Sequence, residues 1–191
     1  MTPLPLARIA QWTSGRLLGD EVLIDAVATD TRTLDASDGL AAARPVAGRL
    51  VSHRLAGGAT LVDDSYNANP GSLNAAIELL AQGSTQGREG WLVLGDMREL
   101  GDDARALHAE AGRRAKAAGI ARLYTLGALS AAAAEAFGDG ARHFESHEAL
   151  SAALIAASAA PTTTILVKGS RGSAMDRIVN ALLEGEGNDA A

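Results

Sequence analysis

From residue 49 onward, short apolar runs alternate with longer stretches of helical period. Trp91-Leu92-Val93-Leu94 and Ile165-Leu166-Val167 are apolar at every position, as strands covered on both faces should be. Leu73, Ala76, Ile77 and Leu80 recur at helical spacing, which predicts a helix over 72–82. The same rhythm predicts strands at 91–94, 122–126, 142–145 and 162–167, with helices at 103–118, 130–137, 147–159 and 173–183. Ahead of them, Arg49 to Leu55 alternates, Ala56-Gly57-Gly58 offers a turn, and Ala59 to Asp63 continues as a strand. That is a hairpin signal.

Strands alternating with helices imply a parallel sheet layered between helices. The expected fold class is α/β. It is a Rossmann-like, mostly parallel sheet of about five parallel strands plus one antiparallel edge, filling residues 49–184. The first 38 residues read as a small α/β fragment: a helix over 4–14, a strand over 21–28 and a polar loop over 29–33. Alone, a piece of that size buries too little surface to hold a core. Residues 39–48 read as a connector, and 185–191 as a polar tail.

Composition narrows the function. A hydrophobic share of 47% against 21% charged residues supports a folded core. With aromatics at 3%, that core is aliphatic. A net charge of -6 argues against a general nucleic-acid binder. The chain has no cysteine, which removes disulfides and thiolate chemistry. No apolar run is long enough to span a membrane, and Met1-Thr2-Pro3-Leu4-Pro5 lacks the regions of a signal peptide. A soluble, cytoplasmic, monomeric protein is the expectation. The two lysines, Lys116 and Lys168, stand outside any G-x-x-x-x-G-K-[ST] loop, and no G-x-G-x-x-G follows a strand. The missing glycine fingerprint makes an unrelated dinucleotide enzyme a poor reading.

Three polar loops follow predicted strands, so all three should project from one rim of the sheet. In the first, Asp63-Asp64-Ser65-Tyr66-Asn67-Ala68-Asn69-Pro70, Asp64 is placed to accept hydrogen bonds from ribose hydroxyls. By strand alternation Asp63 points the other way, toward a ligand or a loop contact. In the second, Gly95-Asp96-Met97-Arg98-Glu99-Leu100-Gly101, Asp96 and Arg98 either meet a polar ligand or leave an acid to cap the next helix. In the third, Lys168-Gly169-Ser170-Arg171-Gly172, two cations, a hydroxyl and a helix start suit a carboxylate or phosphate. Arg49, leaving a glycine turn, can reach toward a phosphate. The four histidines show no metal-ligand spacing, and His108 reads as solvated or structural.

Together, Asp64 to Pro70, Leu94 to Gly101 and Val167 to Arg171 resemble the C-terminal domain of a Mur ligase. The type is the one that adds D-alanyl-D-alanine to a UDP-linked muramoyl tripeptide. Ala28 to Leu34 resembles the start of that family's UDP-binding N-terminal domain. The resemblance implies an ATP-dependent amide-bond ligase of peptidoglycan synthesis, in which an acyl phosphate forms and the dipeptide amine attacks it. It implies ATP contacts at Arg49, Asp64, Asn67 and Asn69. It implies dipeptide contacts at Asp96, Met97, Lys168, Gly169, Ser170 and Arg171, and UDP-substrate contacts at Thr31 and Arg32. ATP and Mg²⁺ are the implied cofactors. In that family an ATPase domain with a P-loop and Mg²⁺ ligands lies between the two resembling regions, where this chain has only 39–48. The expected result is a chain that does not ligate alone. The other reading is a non-catalytic binding module reusing the C-terminal fold.

Overall fold

The computed structural model describes residues 4–5, 23–24, 47–84 and 87–185. The chain divides into two compact units, Met1–Arg44 and Pro45–Ala191. In the first, β1 (Leu4–Pro5) pairs antiparallel with β2 (Leu23–Ile24). The expected helix over 4–14 is therefore corrected at its start. Pro5 fixes its own φ and donates no hydrogen bond, which a short edge strand tolerates. β2 falls inside the strand expected at 21–28. The rest of that helix, the loop at 29–33 and most of the N-terminal fragment lie outside the described residues.

The second unit is one six-stranded sheet. Its strands are β3 (Val51–Arg54), β4 (Thr60–Asp64), β5 (Glu89–Gly95), β6 (Arg122–Leu126), β7 (Ala141–Phe144) and β8 (Thr163–Lys168). The order is β3-β4-β8-β5-β6-β7. β3 is the antiparallel edge, and the other five run parallel. The helices are α1 (Pro70–Ser84), α2 (Ala104–Ala117), α3 (Ala131–Phe137), α4 (His147–Ala156) and α5 (Asp176–Gly185).

The period-two alternation of the strands divides the core. Val62, Leu92, Leu94, Leu123 and Leu166 point to one face, against Leu73, Ile77 and Leu80 of α1, Ala111 and Ala115 of α2, and Phe137 of α3. Leu61, Trp91, Val93, Tyr124, Ile165 and Val167 point to the other, against Leu150 and Leu154 of α4 and Ile178, Val179 and Leu182 of α5. The path through α1, α2 and α3 runs on one face, and the return through α4 to β8 runs on the other. Strand β8 thus enters between β4 and β5, and the chain leaves these three neighbours toward opposite faces. In open α/β sheets, ligands bind at such a switch point, outside the carboxyl ends of the strands.

Candidate functional site

The loops leaving β4, β5 and β8 meet at this rim. The first opens with Asp63, whose Oδ1 accepts from the backbone N–H of Ser65 at 3.1 Å and from its hydroxyl at 2.6 Å. Of the two readings left open for Asp63, the structure takes the loop contact. Asn69 and Ser72 cap α1 reciprocally: Asn69 Oδ1 accepts from Ser72 N–H at 2.8 Å, and Asn69 N–H donates to Ser72 Oγ at 3.2 Å. With Pro70 at the first helical position, that is the expected chemistry of a helix start. Asn67 turns its Oδ1 back to the N–H of Ala68. Both Asn side chains are exposed on the rim, but they make contacts within the loop.

Asp64 ends β4 directly beside Lys168 at the end of β8. Lys168 Nζ lies 2.5 Å from Asp64 Oδ2 and 3.0 Å from the carbonyl oxygen of Asn67. The lysine side chain is 3% exposed and that of Asp64 14%. The structure places Lys168, expected to face a dipeptide, as a buried partner of Asp64.

Ser170 ties all three loops together. Its Oγ accepts from Arg98 N–H at 2.8 Å and donates to Ala68 O at 3.3 Å, and its own N–H donates to Asp96 O at 3.0 Å. Asp96 O also accepts from the Ser173 hydroxyl at 2.9 Å. The Asp96 carboxylate is committed elsewhere: Oδ1 accepts from the N–H groups of Leu129 and Ser130, at 3.1 and 2.8 Å, at the entrance to α3. Of the two readings of Asp96, the structure takes the cap, on a helix two elements downstream of the one expected. Gly169 is buried, with Met175 and the backbone of Gly95 against its Cα.

The side chain of Met97, expected to border a dipeptide, is fully buried in the core. Its backbone N–H donates to Nε2 of His108 at 2.9 Å, while Nδ1 lies 2.6 Å from Ala104 O. An amide N–H can only donate and a carbonyl can only accept. The ring is therefore neutral with its proton on Nδ1. His108 is fully buried and structural, which removes the solvated alternative. Replacing His108 with leucine strands the Met97 N–H and is expected to lower stability by about 1–3 kcal/mol in urea unfolding. A loss below about 0.5 kcal/mol would mean that the bond contributes nothing net.

The exposed chemistry of the rim gathers around Tyr66. Its ring is flanked by Arg49, whose guanidinium carbon is 4.3 Å from the centroid, and by Arg171, at 5.4 Å. Two cations assigned by sequence to different ligands thus share one aromatic. Gly48, at φ +76°, passes with its oxygen 3.0 Å from Tyr66 N and leaves no room for a side chain against the Tyr66 backbone. The guanidinium of Arg98 lies against Gly172, within the short helical turn Arg171–Ser173. Tyr66 is the site residue that sequence reasoning passed over. The available signal was an aromatic in a polar loop of a chain almost without them. Thr31 and Arg32 lie outside the described residues.

An acceptor carboxylate, an exposed ring and flanking guanidiniums form a donor and acceptor set suited to a nucleoside phosphate. Among the described residues, no cluster of three His, Asp or Glu side chains is placed to hold a metal ion. No helix among those residues is long and apolar enough to cross a membrane.

The sequence and the fold of the second unit are similar to those of known proteins. Residues 48–171 match the family described as Mur ligase, glutamate ligase domain. The UDP-N-acetylmuramoyl-tripeptide--D-alanyl-D-alanine ligase of Escherichia coli (strain K12) is 46% identical over 156 residues, covering 80% of this chain and 33% of that protein. A crystal structure of MurF from Acinetobacter baumannii superposes with a TM-score of 0.68 at 30% identity, covering 76% of this chain and 32% of that one. The MurF ligase from Thermotoga maritima in complex with ADP shares the fold, with a TM-score of 0.68 at 23% identity over 79% of this chain and 34% of that one. The chain spans about a third of the length of the relatives it matches.

Proposed function

This chain belongs to the Mur ligase family, and from that premise we propose that it forms the nucleoside and dipeptide side of an ATP-dependent amide-bond ligase. The reaction joins D-alanyl-D-alanine to UDP-N-acetylmuramoyl-tripeptide in the cytoplasm, during peptidoglycan synthesis. The observation that carries the proposal is the convergence of the β4, β5 and β8 loops on one rim, with Asp64, Tyr66, Arg49 and Arg171 together. Asp64 accepts from the ribose hydroxyls, Tyr66 and the Asn67–Asn69 loop border the nucleoside, and Arg49 contacts phosphate. The dipeptide carboxylate meets Arg171 and Arg98, with the backbone of Gly169 and Ser170 shaping the loop around it. Thr31 and Arg32 belong to the UDP end of the other substrate, with residues 1–38 as part of the UDP-binding domain and 39–48 standing where the ATPase domain belongs.

Phosphoryl transfer requires cations positioned around the γ-phosphate. Neither lysine of this chain stands in a P-loop, so binding without turnover is the expected behaviour. Titration with adenosine nucleotides should shift the amide resonances of residues 48–50 and 64–69, and D-alanyl-D-alanine those of 98 and 169–173. With both substrates and Mg-ATP, phosphate release should stay far below the roughly 1 per second of ordinary enzymes. The proposal is lost if neither set of amides responds at millimolar ligand, an outcome that favours a module docking on another protein.

A further inference from the structure

We propose that Lys168 is a positioning residue for the nucleoside, acting through Asp64. The inference rests on the reading of Asp64 as the acceptor of ribose hydroxyls. A carboxylate at a strand end is free to turn about its last torsion, which is broad and roughly two-fold. Here that freedom is removed: Oδ2 is held by Lys168 Nζ at 2.5 Å. The same ammonium holds Asn67 O at 3.0 Å, and Ser170 holds Ala68 O at 3.3 Å. Strand β8 therefore fixes the carboxylate and the loop that follows it from beneath. The lysine side chain, 3% exposed, is closed off from a ligand, while Asp64 keeps 14% and reaches the rim. One oxygen is engaged from below, and the other is presented to the ligand in a set direction. Pre-organisation of this kind strengthens a hydrogen bond that forms on binding, because no rotor is frozen at that moment.

A lysine that merely stabilised the fold would leave recognition of ribose untouched. The test is therefore selectivity. Amide-shift titrations of the full chain compare adenosine with 2′,3′-dideoxyadenosine. The unaltered protein should prefer adenosine about tenfold, the worth of a hydrogen bond to a charged group. Lys168→Met, folded by its dispersed amide spectrum, should compress that preference below about threefold. Asp64→Asn should compress it as well. If Asp64→Asn keeps the full preference, the nucleoside reading of Asp64 is wrong. If Asp64→Asn loses it and Lys168→Met keeps it, only the positioning role falls. A measurement on the unaltered chain guards against a misfolded variant: the ¹⁵Nζ resonance of Lys168 should move on saturation with adenosine and stay put with the dideoxy analogue. An ammonium signal indifferent to both overturns the proposal.

Discussion

Replacing Gly112 with alanine lowers the stability of the C-terminal unit by about 3 kcal/mol or more in urea unfolding. At an exposed helix position the same change stabilises by about 0.5–1 kcal/mol, because alanine has less backbone entropy to lose. The sign reverses here because α2 crosses α3 at Gly112. A methyl group built there overlaps Ala133 O and comes within 2.8 Å of Ala133 C and 2.9 Å of Ala133 Cα. All three are backbone atoms, so no side chain can rotate aside and the two helices must separate. The residues these helices bury near the crossing are small, Ala111 and Ala115 in α2 and Ala133 in α3, and close packing leaves little slack to absorb the shift. The effect reaches the rim, because the entrance of α3 is what Asp96 Oδ1 holds, while Asp96 O holds Ser170 and Ser173. The variant should therefore also shift the amide resonances of Asp96 to Arg98. A variant at least as stable as the parent would show that the helices do not cross this closely.

Gly112 also shows how far local pattern extends. The strands were legible because the middles of β5 and β8, Trp91–Leu94 and Ile165–Val167, are apolar at every position, and the helices because their stripes recur at helical spacing. The helix expected over 72–82 begins two residues earlier, at Pro70, where Asn69 and Ser72 cap each other. The clustering of three loops at one rim was also legible, since it follows from parallel strands alone. What each side chain does there was less so. Asp96 caps a helix some thirty residues away, Met97 turns inward, His108 satisfies a loop amide, and Lys168 is buried against Asp64. Each of these depends on strand order. With β8 inserted between β4 and β5, residues 64 and 168 become neighbours, and nothing periodic in either segment encodes that register. In the same way, Arg49 and Arg171 were assigned to separate ligands because their common neighbour, Tyr66, is visible only once the loops are adjacent.

The Asp64–Lys168 pair should respond unequally to removal of its two members. Asp64→Leu leaves an ammonium with 3% exposure and only the Asn67 carbonyl as partner among the described residues. Stranding a buried charge in this way costs about 3–5 kcal/mol. Lys168→Met leaves a carboxylate that already reaches the rim and can take up water, so its cost is nearer 1–2 kcal/mol, the lower range for a group that keeps solvent. The double variant places two apolar side chains of similar volume at the same spot. It should be more stable than Asp64→Leu alone, because a buried ion pair is often replaced by apolar packing at little net cost. Urea unfolding of the four proteins measures the cycle. Equal single losses below about 1 kcal/mol would mean that the pair behaves like a surface ion pair. The expected asymmetry has a functional corollary. If the pair adds little to folding that leucine and methionine could not supply, its value lies in the direction it imposes on Asp64. The double variant should then be well folded yet indifferent to the ribose hydroxyls, separating the stability of this rim from its recognition.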